Sequence, residues 1–188
     1  MTELQRLIDL SYKTYKARLK ATERLLARQR AWNTSLLALS IATTIASIAL
    51  LSDGEMYGKT GPTVLVCVSA LSLVASLAVA GLNYGTRSRD MFMNYRGIQR
   101  LSLEAQTLQD NADLDIDAIR KLSSRYQSLL DDSENHTSAD YKAAFPKAEV
   151  SVWPLRASAL LTALPYLALV VPILVLIPFV VWACTAGR

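Results

Sequence analysis

The chain has 188 residues, 52% hydrophobic and 19% charged, with 20 Lys+Arg against 16 Asp+Glu. The charges are unevenly spread: Ala31–Ser52, Thr60–Thr86 and Ala157–Gly187 carry none, in runs of 22, 27 and 31 residues, so the other 108 residues hold all 36 charges. Runs of this length match the roughly 20 residues that cross a hydrocarbon core. The pattern excludes a compact soluble enzyme, whose elements each keep a solvent face, and excludes disorder, which needs few apolar residues.

Residues 1–30 read as an amphipathic helix. Leu4, Ile8, Tyr12, Tyr15, Leu19, Thr22 and Leu26 recur at spacings of three and four, which puts them on one face. Eight basic residues against three acidic ones occupy the rest. No Gly or Pro intervenes before Asp53, so this helix is expected to run straight into a first membrane span, about Trp32–Leu51. Asp53-Gly54, Gly58, Gly61 and Pro62 make a turn. A second span follows, about Val64–Leu82, and Asn83-Tyr84-Gly85 marks its exit.

Arg24, Arg28 and Arg30 precede the first span, and Arg87, Arg89, Arg96 and Arg100 follow the second, whereas the connecting loop has only Lys59. Short Lys/Arg-rich flanks stay inside. The N-terminus and residues 87–156 are therefore expected to be cytoplasmic, with the hairpin tip outside. Arg24, Arg28, Arg30, Arg87 and Arg89 read as facing anionic lipid, at about 1 kcal/mol per basic residue near the surface. No nucleic-acid partner is expected, and no signal peptide is expected.

Residues 87–156 read as cytoplasmic helices, about Ser88–Leu108 and Asp117–Leu130. Ile119, Leu122, Tyr126 and Leu129 give the second a clean apolar stripe. With the N-terminal helix they would form a small three-helix bundle. Ser133–Thr137 reads as a turn and Ala139–Ala144 as a short helix closed by Pro146. The last run, 157–187, carries Pro165, Pro172 and Pro178. At 1.5 Å per residue it suits one kinked span, and a re-entrant hairpin stays open as the alternative. The expected fold is all-α: a membrane hairpin, a cytoplasmic helical bundle and an additional C-terminal hydrophobic helix. The expected division is 1–31, 32–86, 87–156 and 157–188.

Catalytic equipment is sparse. There is one histidine, His136, and no zinc spacing, phosphate loop or nucleophile elbow. Asp113, Asp115 and Asp117 look like half a calcium loop, but the central Gly is missing and the twelfth position is Ser124 rather than Glu. They read instead as a polar loop with Asp117 capping a helix. No catalytic residue, metal or cofactor is expected. Cys67 and Cys184 read as fillers of apolar space.

The spans lack ionisable residues, which argues against a proton-coupled transporter. They do carry polar faces: Asn33, Ser40, Thr44 and Ser47 in the first, Ser69, Ser72, Ser76 and Asn83 in the second. Spacing alone favours helix packing, with hydroxyls worth about 0.6–2 kcal/mol each. The other reading is a water-filled path in an oligomer, since two spans cannot enclose a pore alone.

Three stretches give the chain a resemblance to a known family. One runs from Glu23-Arg24-Leu25 to Trp32-Asn33. The next is Leu82-Asn83-Tyr84-Gly85 with Arg87 and Met91-Phe92-Met93-Asn94-Tyr95-Arg96. The last combines Ser124-Arg125-Tyr126, Ser133-Glu134-Asn135-His136-Thr137 and Asp140-Tyr141-Lys142. Over about residues 1–145 the chain resembles the SLATT family, two-transmembrane domains of bacterial conflict systems associated with SMODS nucleotidyltransferases and SLOG sensors. The run from Ala157 stands outside that resemblance as an addition. The resemblance implies an antiphage effector of the bacterial inner membrane that forms homo-oligomers and permeabilises the membrane after a signal from a nucleotide second messenger or an associated defence protein. Under it, Ser133, Glu134, Asn135, His136, Asp140, Tyr141 and Lys142 become sensor or interface candidates. The competing class is a non-conducting, membrane-anchored scaffold that recruits a partner through its bundle.

Overall fold

A computed structural model describes residues 2–110 and 116–186. All regular structure among them is helical: α1 (Glu3–Ser52), α2 (Gly61–Gly81), α3 (Tyr84–Asp110), α4 (Ile116–Asp131), α5 (Ser138–Ala144), α6 (Val152–Ala168) and α7 (Val170–Ala186). The expected all-α membrane fold is what forms, with three stretches long and apolar enough to cross a membrane. α1 runs unbroken for 50 residues because neither Gly nor Pro interrupts it. Asp113 and Asp115 lie outside the described residues. Asp117 sits within the first turn of α4 and pairs with Arg120 at 3.1 Å, rather than standing ahead of the helix as its cap.

The chain divides into two compact units, Met1–Leu26 with Tyr84–Ala159 and Ala27–Asn83 with Leu160–Arg188. The core of the first joins Leu4, Leu7 and Ile8 of α1, Ile98, Leu101 and Ala105 of α3, and Leu122 and Tyr126 of α4. This is the expected three-helix packing. Gly97 lets α3 approach α4 closely, since a Cβ there would lie 3.0 Å from Leu129 Cδ2. The buried face of α1 shares Leu4, Ile8 and Thr22 with the one its apolar spacing suggests but is rotated from it. It turns toward Leu7, Ser11, Arg18 and Leu25, and leaves Tyr12 exposed. Polar partners cause the turn. Ser88 Oγ donates to Thr22 O, the Thr14 and Tyr126 hydroxyls lie 2.8 Å apart, and Arg18 reaches the end of α4.

In the second unit, α1 packs through Ala31, Ser35, Ala42, Ala46 and Ala49, small residues that allow close helix approach. Gly58, at φ 71°, completes the turn before α2. α6 and α7 follow one course with a break at Leu169, whose N–H bonds to Tyr166 O. Pro172 supplies the reason: its ring displaces the carbonyl of Ala168, four residues back. Two tethers set the path of this segment. Arg28 Nε donates to Thr162 near its start, and Tyr57 OH, from the loop between α1 and α2, donates to Val175 O at 2.9 Å. Those anchors hold the segment against the start of the α1 apolar stretch and against the loop that follows α1.

Leu101 is fully buried at the centre of the first unit. Leu101→Ala is expected to destabilise that unit by about 2–5 kcal/mol, the range for a truncated core leucine. Denaturant unfolding followed by far-UV circular dichroism measures it.

Candidate functional site

The second unit decides how the polar stripes are placed. On a helix turning about 100° per residue, Asn33, Ser40, Thr44 and Ser47 fall opposite the buried Ala42, Ala46 and Ala49. All four are exposed. Two of the hydroxyls bond within α1: Thr44 Oγ1 donates to Ser40 O at 2.8 Å and Ser47 Oγ to Thr43 O at 2.8 Å. Back-bonding of this kind lets a hydroxyl satisfy itself on its own helix. On α2 the arrangement differs. Ser72 lies half-buried on the inner face with Leu65, Val68 and Ala75, while Ser69 and Ser76 sit exposed beside it. Ser47 and Ser69 meet in one open groove of about 430 Å³, floored by Leu50, Leu65 and Val66. Asn83 is exposed at φ 48°, a left-handed turn that Asn tolerates, and it ends α2. Cys67 and Cys184 are exposed on the apolar helices rather than packed as fillers.

The sensor candidates gather in the first unit around one buried carboxylate. Asp140 is 2% exposed and receives both forks of Arg24, Nε to Oδ1 at 2.7 Å and Nη2 to Oδ2 at 2.9 Å. Its Oδ2 also accepts from Thr137 N and Thr137 Oγ1, while Thr137 Oγ1 accepts from Asp140 N. The reciprocal pair is a capping box that starts α5. His136 stacks on Tyr141, and Tyr141 packs on Phe145. Lys142 Nζ donates to the carbonyls of Pro146 and Ala148. Glu134 pairs with Arg87 at 2.9 Å. Ser133 Oγ donates to Glu134 O, and Asn135 points to solvent. The loop thus brings His136, Asp140 and Tyr141 together, and uses Glu134 and Lys142 to hold the chain.

Three of the five basic residues expected to face lipid are engaged by protein instead. Arg24 holds Asp140, Arg28 is buried against Thr162, and Arg87 holds Glu134. Each guanidinium finds a fixed acceptor that flank counting cannot see. Arg30 and Arg89 are exposed. Sequence reasoning missed Arg18 altogether. It is wholly buried, and its Nη1 donates to Leu129 O in the last turn of α4. Asn94 Nδ2 donates to the same oxygen at 2.6 Å. A cation there complements the unpaired carbonyls of a helix C-terminus. The spacing Leu7, Ser11, Arg18 and Leu25 was the available signal, but an Arg in it reads as a solvent residue.

Burial pushes the His136 imidazole below its ordinary value of 6.5, the charge of Arg18 pushes it further, and Asp140 pulls it partly back. Burial alone would raise Asp140, but the hydrogen bonds from Arg24 and Thr137, with the Arg24 charge, outweigh it and hold the carboxyl low. Both groups are depressed in the folded state, so each contributes stability above its unfolded pKa and loses it as pH falls. The His136 contribution is complete above about pH 6.5 and fades below, before Asp140 begins to protonate. Unfolding midpoints of the first unit should therefore fall from pH 7 to pH 5, and His136→Gln should flatten that slope. Asp140→Ala leaves Arg24 unpaired at a largely buried site and should cost about 3–5 kcal/mol, measured by denaturant titration.

The model of the SMODS and SLOG-associating 2TM effector domain family 5 matches residues 1–184. The match takes in α6 and α7 as far as residue 184, so the C-terminal apolar helices belong to it rather than standing as an addition. No curated protein and no solved structure matches the chain.

Proposed function

The chain belongs to this SLATT family, whose members are membrane-associated effector domains of antiphage defence, and we propose that it oligomerises in the bacterial inner membrane and permeabilises it when a nucleotide or a partner protein signals. The observation that carries the reading is the α1 stripe. Asn33, Ser40, Thr44 and Ser47 occupy the face that the fold leaves outward, opposite the face it packs. A polar row on the exposed face of α1 is suited to water when several copies assemble. The apolar surface of α2, with Val66, Leu71, Leu73, Val74 and Leu77 all exposed, is suited to lipid or to the next copy. No charged ring lines either stripe, so a path built from them would select weakly among small ions. The cytoplasmic orientation of the first unit rests on the flanking arginines.

A non-conducting scaffold is the competing reading, and one feature favours it. Arg89, Phe92, Met93, Arg96, Arg100 and Leu103 share one exposed face of α3, a surface on which a partner could dock.

Membrane potential after induced expression separates the two. An effector collapses it and a scaffold leaves it intact. Ser40→Leu with Thr44→Leu should abolish dye leakage while crosslinking still shows the assembly. If assembly and leakage disappear together, the stripe is a packing surface and the pore assignment fails.

A further inference from the structure

Arg18 and Arg24 lie six residues apart on α1, and both turn into the first unit. Arg24 presents its Nε–Nη2 edge to both oxygens of Asp140. Arg18 spends only Nη1, on the Leu129 carbonyl at 3.2 Å. Its own Nε and Nη2 are buried with no protein partner among the described residues. That edge is the geometry that takes two oxygens of a carboxylate or phosphate in parallel. Two more buried atoms near it lack partners: His136 Nδ1, on a ring close enough to feel the Arg18 charge, and Asn94 Oδ1, whose amide nitrogen shares the Leu129 carbonyl with Arg18.

Charge points the same way. The cluster holds two guanidiniums, one carboxylate and a neutral imidazole. The end of α4 offsets part of the surplus positive charge, but a buried ion without a counter-ion is strongly disfavoured. The partnerless atoms also specify chemistry. Two donors on Arg18 need acceptor oxygens, and Asn94 Oδ1 needs a donor. A carboxylate brings oxygens and no proton. A hydrogen phosphate or a phosphate monoester monoanion brings both.

We propose that the Nε–Nη2 edge of Arg18, with Asn94 Oδ1 and His136 Nδ1, forms an internal binding site for a phosphate group, free or carried as a monoester. Its door is the link between α4 and α5. Residues 133–136 lie between the helical bonds Asp132 N–Ser128 O and Tyr141 N–Thr137 O and are not helical. The outer tie of this link is the Arg87–Glu134 pair, whose side chains are each 40% exposed, and exposed pairs are weak. Binding in the first unit is separable from permeabilisation by the second. If leakage fails while phosphate still binds, only the effector reading falls.

The test uses the full chain in detergent micelles. Thermal unfolding and titration calorimetry are followed against inorganic phosphate, sulfate, chloride at matched ionic strength, and adenosine 5′-monophosphate. Wild type should show saturable stabilisation by phosphate, weaker stabilisation by sulfate, which brings no proton, and none by chloride. Tighter binding of the monoester than of phosphate identifies a small-molecule ligand, and the reverse order identifies the free ion. Arg18→Lys keeps the charge and loses the fork, so its affinity should drop by roughly tenfold or more. Circular dichroism without phosphate shows whether it folds. The wild-type titration stands even if it does not: no saturable phosphate binding overturns the proposal, as does a response that Arg18→Lys leaves unchanged.

Discussion

Inside a bilayer every backbone polar group must be bonded within its own segment, and α1 meets that demand along its apolar stretch while also forming part of the charged first unit. It does so with one uninterrupted 50-residue ladder. Its two parts then need different side chains. From Glu3 to Leu26 it uses large apolar residues and polar contacts to hold α3, α4 and α5. From Ala27 onward it uses alanines and serines, because lipid tails supply no hydrophobic drive and close packing must replace it. The other helices answer whichever part of α1 they meet.

The first unit is consequently held by two kinds of force. Apolar burial sets the α1, α3 and α4 packing. The Asp140–Arg24 pair sets the place of α5, with Thr137 completing the cap. A seven-residue helix has little stability of its own, so α5 depends on that ion pair. Arg18 does the same for the end of α4, which ties α1 to the last turn of α4 through a single carbonyl shared with Asn94. The buried polar groups thus specify where the short elements dock, while the apolar ones supply the bulk of the stability.

In the second unit the proline-containing segment is shaped by loss of backbone donors. Pro165 and Pro172 are both buried, on one face. Each removes one N–H from the ladder, and the break at Leu169 sits where Pro172 perturbs the preceding turn. Tyr57, reaching Val175 O, supplies a side-chain donor beside the Pro178 stretch. The hydroxyls of Thr44 and Ser47 on α1 serve their own backbone instead, and their stripe faces outward.

Charge distribution and period carried much of the architecture. The uncharged runs located the three apolar stretches, the absence of Gly and Pro made α1 continuous, and the stripe Ile119, Leu122, Tyr126 and Leu129 found the inner face of α4. These are local properties, set by transfer free energy and helix geometry within a dozen residues. The rest required long-range contacts. Whether Arg24 meets lipid or Asp140 depends on a residue 116 positions away, and where the C-terminal apolar helices lie depends on Arg28 and Tyr57. The burial of Arg18 on α1 has the same reason, since it entered the core by finding Leu129 O there. Sequence by itself determined where the chain can be dry; tertiary structure decided which charges stay inside, because a buried charge is tolerated only where another part of the fold arrives to bond it.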